Sequence, residues 1–254
     1  MFTTIFYQPI LNLLVWIYNI VPAHDIGLTV IVLTIFIKAV LWPLSAKSIK
    51  SQKSMQDIQP KIEELKKKYP KPEDREAMTK EMMALYKQEK VNPFSSCLPL
   101  IIQLPFFWAI FKVFRDEFTG KASGLIYPFI FNPGPLNTMA FGFLDFSKPN
   151  IVLAVLAGLA QFAQVKMMPM KKPEVKGAGS KDESMAAIMN KQMMYVFPVL
   201  TIVICFSLPS GLAFYWLLTT ILTIVQQLYV FKGHNSSDKN KPAVIEGEIV
   251  ANNK

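Results

Sequence analysis

Apolar residues along this chain fall in long blocks rather than at alternating positions, and the blocks predict helices that cross a lipid bilayer. Ile26–Leu44, IGLTVIVLTIFIKAVLWPL, is 19 residues long and apolar except for two threonines and Lys38. At about 1.5 Å rise per residue it nearly spans a hydrocarbon core of roughly 30 Å. Four further blocks follow: Cys97–Phe114, Ile151–Met168, Met194–Leu208 and Gly211–Phe231. In the second, Pro99 sits in the tolerated first turn, while interior Pro105 should kink the helix. The third is rich in Ala154, Ala157, Gly158, Ala160 and Ala163, which permits close helix packing. Only Pro209 and Ser210 separate the last two, which predicts a tight antiparallel pair.

Between the first two blocks nothing is apolar enough to enter a membrane. Met55, Ile58, Ile62, Leu65 and Tyr69 recur at spacings of 3, 4, 3 and 4, an a/d-type seam. Glu63–Lys67 and Glu64–Lys68 are favourable i,i+4 pairs. Pro70 and Pro72 break this helix, and a second begins near Glu73 with Met78, Met82, Leu85 and Tyr86 inward. The segment predicts an antiparallel helical hairpin outside the bilayer. At the N-terminus, Gln8, Asn12 and Asn19 share one helical face, which predicts a helix lying in the interface with Trp16 and Tyr18 at headgroup depth. A further span is the competing reading. With neither a basic n-region nor a small-residue cleavage site, no cleaved signal peptide is expected.

The expected fold is therefore all-α: a polytopic membrane protein with a five-transmembrane-helix core, a cytoplasmic antiparallel helical hairpin and an N-terminal interfacial helix. Residues 1–25 form the extracytoplasmic amphipathic helix, 26–45 the first span, 46–92 the hairpin and 93–114 the second span. Residues 115–149, rich in Phe, Tyr, Pro and Gly, read as an extracytoplasmic interfacial loop with short helices. The third span covers 150–168, a basic cytoplasmic loop 169–192, the fourth span 193–208 and the fifth 211–231. Residues 232–254 are polar, and a disordered cytoplasmic tail is expected there.

Composition excludes an ordinary soluble domain: 52% of the 254 residues are apolar and the mean hydropathy is +0.29. The net charge of +9 matters less than its distribution. Twelve lysines and arginines lie in residues 45–92, six in 166–192 and four in the tail, against Arg115, Lys121 and Lys148 on the other side. The positive-inside rule then predicts a multi-pass protein of the plasma membrane, N-terminus outside and C-terminus cytoplasmic. Cys97 and Cys205 both sit in apolar runs and read as small core residues rather than as a disulfide or metal site.

Lys38 carries the candidate chemistry. A lysine at the centre of a span costs about 2.5 to 3.5 kcal/mol on insertion scales. One reading is snorkelling, since Leu44 is roughly 9 Å away along a helix. The other is a polar cavity, because Gln103, Gln161, Gln164, Thr201, Thr219, Thr220, Gln226 and Gln227 lie on the four other spans. Gln226 and Gln227, near a helix end, also suit the headgroups. Eleven of 13 methionines belong to cytoplasmic segments or their edges. Met78, Met82, Met83, Met185 and Met189 form the candidate contact surface, because flexible methionine adapts to many apolar partners. Ordinary packing is the competing reading, and the stronger one for Met55 and Met82. No catalytic set is visible: the spans hold no His or Asp to activate a serine such as Ser207, and HExxH, P-loop and GxGxxG motifs are absent. The lysine runs leave a contact with ribosomal RNA open.

Three stretches resemble the YidC-type membrane protein insertases. VNPFSSCLPLIIQLPFFWAIF (Val91–Phe111) is similar to the signature opening their second core span, and LPSGLAFYWLLTTILTIVQQ (Leu208–Gln227) to their last span. Lys38–Tyr69 resembles their first core span and hairpin. The resemblance implies a five-span core with a hydrophilic groove open to cytoplasm and lipid and closed outside. It implies that Lys38 is the basic groove residue, that Gln103 lines the groove and that Trp216 contacts the same region. It also implies insertion of nascent membrane proteins into the lipid bilayer without a cofactor, with the Sec translocon and the ribosome as further candidate partners and no small-molecule substrate.

This chain departs from the family in four ways. Bacterial members usually carry Arg at the place of Lys38, and lysine lacks the planar five-donor fork and deprotonates more readily when buried. Residues 1–25 leave no room for a large extracytoplasmic domain before the first core span, so a short form is expected. Neither a lipobox cysteine ahead of the N-terminal helix nor docking through a long basic tail is expected. Two rival readings remain: an assembly scaffold without insertion activity, and a small anion transporter or channel built on Lys38. The missing extracellular charge funnel and the large hairpin argue against the channel.

Overall fold

The computed structural model describes residues 1–69, 72–92, 98–117, 123–167 and 192–238. The described residues are almost wholly helical. A π-helical turn, Thr3–Tyr7, leads into α1 (Gln8–Ile20), followed by α2 (Ile26–Val40), α3 (Trp42–Asp57), α4 (Gln59–Lys68), α5 (Arg75–Gln88) and α6 (Leu98–Glu117). A two-residue ribbon, β1 (Met139–Ala140) antiparallel to β2 (Leu144–Asp145), precedes α7 (Ile151–Lys166), α8 (Phe197–Phe206) and α9 (Ser210–Asp238).

Local chemistry sets these boundaries. The Asp25 carboxylate accepts from Leu28 N (2.9 Å) and caps α2, and the Asn150 side chain caps α7 through Leu153 N (3.1 Å). The first apolar block, expected to run unbroken to Leu44, turns at Leu41. Pro43 in the first turn of α3 brings no N–H, and α2 and α3 meet at a bend of 67°. Pro60 acts likewise at the start of α4, so the seam helix breaks at Ile58. Pro105 lies inside α6 as the sequence requires. At its far end α9 continues past Phe231 to Asp238, into the stretch expected to be disordered. By length and composition Ser210–Lys232 can cross a membrane alone, the α2–α3 pair passes the same test together, and α7 and Met194–Phe206 are shorter apolar helices.

The last helix is the spine: α2, α3, α6, α7 and α8 all pack on α9. On one side the N-terminal turn, α1, α2 and α6 enclose the larger core, with Tyr7, Leu11, Leu14, Ile26, Leu33, Ile110, Phe114 and Tyr215 buried. On the other, α7 and α8 share a smaller core of Leu153, Ala154, Ala157, Cys205 and Ala213 with α9. The α7–α8 contact depends on Gly158, where an added Cβ would lie 2.3 Å from Ile202. Neither α7 nor α8 makes extensive contact with α2 or α6.

The polar face of α1 has a partner within the protein. Gln8 and Asn12 donate to the Leu125 carbonyl (3.2 and 3.0 Å), Asn12 Oδ1 accepts from Tyr127 N (2.6 Å), and Asn19 donates to the Phe131 carbonyl (2.7 Å). Tyr18 is buried with its hydroxyl accepting from Asn137 N (3.1 Å), while Trp16 stays exposed. Among its described residues the segment so held contains one 3-10 turn, Ser123–Leu125, and the β1–β2 ribbon.

In the hairpin, Ile58 and Ile62 are buried, and the ion pairs cross between helices: Lys61–Glu89 (2.5 Å) and Lys68–Glu81 (2.9 Å). Lys68 bonds Glu81 instead of Glu64, one turn back. The Tyr69 hydroxyl and the Lys68 ammonium hold the Glu81 carboxyl below its ordinary range. Met78 and Met82 are half-buried and Met83 is exposed. Pro70, Cys97, the basic loop with Met185 and Met189, and residues 239–254 lie outside the described residues.

Candidate functional site

Trp216, Thr219, Thr220, Thr223, Gln226 and Gln227 recur three or four residues apart, which lays them along one side of α9. This stripe gathers the polar residues of the other helices. Lys38, in the last turn of α2 and partly buried, donates from Nζ to Thr223 Oγ1 (2.7 Å). Thr223 in turn donates to the carbonyl of buried Thr219 (2.6 Å). Among the described residues no carboxylate lies within ion-pair distance of Lys38.

A second cluster sits one to two turns toward the start of α9. Gln161 Oε1 on α7 accepts from Thr201 Oγ1 on α8 (2.6 Å) and from Trp216 Nε1 on α9 (3.2 Å). The Phe107 ring of α6 meets the Trp216 ring edge to face, centroids 4.9 Å apart. Beside them Gln103 Nε2 on α6 donates to the Tyr215 hydroxyl (2.6 Å). Of the expected site residues, Lys38, Gln103, Gln161, Thr201, Trp216 and Thr219 are therefore brought to one helix. Gln164, half-buried one turn along α7, joins neither cluster.

Sequence reasoning passed over Thr223, Tyr215 and Ser45. Thr223 was findable, because it continues the Thr219–Gln226 stripe at helical spacing. Ser45 was not: its role depends on the bend. Its hydroxyl lies 2.9 Å from the Leu41 carbonyl and 2.8 Å from Gln226 Nε2, and Gln226 also donates to the Trp42 carbonyl (3.3 Å). Gln226 is 1% exposed, so the headgroup reading of this residue does not hold.

The first turn of α9 has the opposite character. Ser210 Oγ donates to the Asp145 carbonyl (2.9 Å), Ser210 N to Lys148 O (2.9 Å) and Gly211 N to Phe146 O (3.2 Å). Phe214 packs between Phe146 and Phe141, centroids 5.2 and 5.7 Å away. Gly211 and Gly27 are needed there: an added Cβ would lie 3.0 Å from the Phe114 ring at Gly211 and 2.5 Å from Phe141 at Gly27. The Ser147 hydroxyl and N–H, with Lys148, hold the Asp145 carboxyl down to about 2. The site is thus a polar, cationic track that ends against an aromatic seal.

A sequence profile of the 60Kd inner membrane protein family matches residues 16–238. The chain belongs to this family. Among its relatives is a membrane protein insertase YidC of Fusobacterium nucleatum, 35% identical over 208 residues, which cover 82% of this chain and 87% of that protein. Proteins of the same name from Pelobacter propionicus and Syntrophus aciditrophicus are 36% and 37% identical over 231 and 225 residues. Those alignments cover 90% and 89% of this chain but 39% and 36% of the two longer proteins. The matched part thus holds both the track and the seal, and it makes up nearly all of the Fusobacterium protein.

Proposed function

We infer that this chain is a membrane protein insertase: it carries no catalytic step and lowers the barrier for moving a polar flank of a nascent membrane protein across the bilayer. One observation carries the mechanism. Among the described residues the Lys38 ammonium is held by a hydroxyl rather than by a counter-charge, in a polar track formed by α9 with α2, α6, α7 and α8. An uncompensated cation in such a place attracts an acidic or polar segment, and the track's hydroxyls and amides stand in for the water that the segment gives up. The apolar part of the client then moves into lipid, where its burial drives release.

The supporting topology is five spans: α2, α6, α7, the α8 segment and α9. The lysine- and arginine-rich hairpin, loop 169–192 and C-terminus lie in the cytoplasm, with residues 1–25 and 115–149 outside. In this orientation the track faces the cytoplasmic half and the aromatic seal the outer half. The hairpin, with Met83 exposed beside Met78 and Met82, is the first contact for an emerging apolar segment. The family's inner-membrane character supports residence in the bacterial plasma membrane. Nascent membrane proteins and lipid are the partners this mechanism needs; the Sec translocon and the ribosome are further candidates.

The test uses the purified protein in otherwise protein-free liposomes. The substrate is a single-span protein with a short acidic translocated tail, scored by protease protection of that tail. Protection well above empty liposomes is expected, with Lys38→Arg active and Lys38→Leu impaired. Protection no higher than in empty liposomes, with the protein folded and oriented, overturns autonomous insertion and leaves the scaffold reading. Saturable flux of a small anion in the same liposomes would favour the channel.

A further inference from the structure

The α2–α3 bend lies directly below Lys38. Pro43 removes a backbone donor there, and the N–H of Leu41 is shared between Ile37 and Ala39 carbonyls, so the last turn of α2 is loosely tied within its own helix. What fixes it is a neighbouring helix. Gln226 of α9 donates to the Trp42 carbonyl and meets Ser45 Oγ through both ends of its amide (3.1 Å at Oε1, 2.8 Å at Nε2). Gln226 stands three residues after Thr223, the residue that binds Lys38, so the two contacts form consecutive rungs between the same pair of elements. The lower rung is neutral, with the Gln226 side chain buried and Ser45 half-buried; the upper one carries the charge.

We propose that Gln226 is a positioning residue for Lys38: it latches the α2–α3 bend to α9 and so keeps the lysine ammonium inside the polar track. Without the latch, the last turn of α2 is free to rotate about the bend. The long lysine side chain then reaches the water at the track's mouth, as lysines near helix ends do. This role presupposes insertase activity for its functional consequence but not for its structural one.

The test has two arms, both on the full chain in liposomes. In the first, Cys97 and Cys205 are replaced by alanine and Lys38→Cys is paired with Thr223→Cys. A thiol crosslinker about as long as a lysine side chain then reports the spacing of α2 and α9. Gln226→Met keeps the volume and removes both hydrogen-bonding ends; it should lower the crosslinking yield at least about fivefold. Ser45→Ala, a milder change, should lower it in the same direction. In the second arm, Gln226→Met should reduce protection of an acidic tail to the level of Lys38→Leu, spare a neutral-tailed substrate, and add nothing to Lys38→Leu in the double variant. Unchanged crosslinking in both variants overturns the proposal, as does a double variant whose losses multiply or an equal loss for the neutral tail. Crosslinking that falls as expected while the unaltered protein inserts nothing would keep the latch and refute the insertase.

Discussion

The two ends of α9 are built from opposite materials. Around Gly211 the helix start is dry: three phenylalanine rings close over it and its N–H groups bond the carbonyls of Phe146 and Lys148. From Trp216 to Gln227 the same helix carries indole, hydroxyl and amide groups and receives a lysine. The larger core encloses the first end, whereas the second runs between two helix groups that touch chiefly through α9. The contrast teaches what each end can tolerate. A packed aromatic contact has no substitute once lost, because the space left behind stays empty. A hydroxyl–amide contact that water can reach is replaced by water at small cost.

The contrast makes graded predictions. The largest effect is expected at the seal: Phe146→Ala should cost about 3–5 kcal/mol, read as a fall in thermal unfolding temperature in detergent. A cost below about 1 kcal/mol would mean that this end is not packed as described. Next, Lys38→Leu should lower insertion of an acidic-tailed client about tenfold, equivalent to about 1.4 kcal/mol, with stability little changed and Lys38→Arg within about twofold. Thr201→Val, which removes the donor to Gln161, should cost under about 1 kcal/mol; a larger loss would show that the track is as dry as the seal. The smallest effect is a pH dependence at the Asp145 turn. Its carboxyl is held down to about 2, so the stabilisation is complete above about pH 4, the ordinary range of an aspartate, and fades as pH falls through 2. Asp145→Asn should remove that acid-side slope in a pH series of unfolding temperatures.

Sequence reading reached what is local and periodic. The apolar blocks gave the helical character, the polar residues isolated within those blocks gave Lys38, Gln103, Gln161, Thr201 and Thr219, and the family resemblance gave Trp216. Partners distant along the chain stayed hidden. The asparagines of α1 read as a headgroup face, because nothing nearby announces that residues 125–131 supply their carbonyls and N–H groups. Gln226 read likewise, because its partner exists only once Pro43 has bent α2 away from α3. Lys68 read as paired within its own helix, because i,i+4 spacing is visible in a sequence and the approach of Glu81 across a turn is not. Helix length and composition alone support one span, or two with the α2–α3 pair, since α7 and α8 are short for a bilayer.

Single cysteines read directly whether one end of α9 is hydrated and the other sealed. In a background lacking Cys97 and Cys205, Thr223→Cys and Phe214→Cys would be exposed to a membrane-impermeant maleimide from the cytoplasmic side and, separately, from the outside. Rapid labelling at 223 from the cytoplasmic side only, with none at 214 from either side, is the predicted result. Equal labelling at the two positions, or labelling at 223 from outside, would contradict a track closed by an aromatic seal.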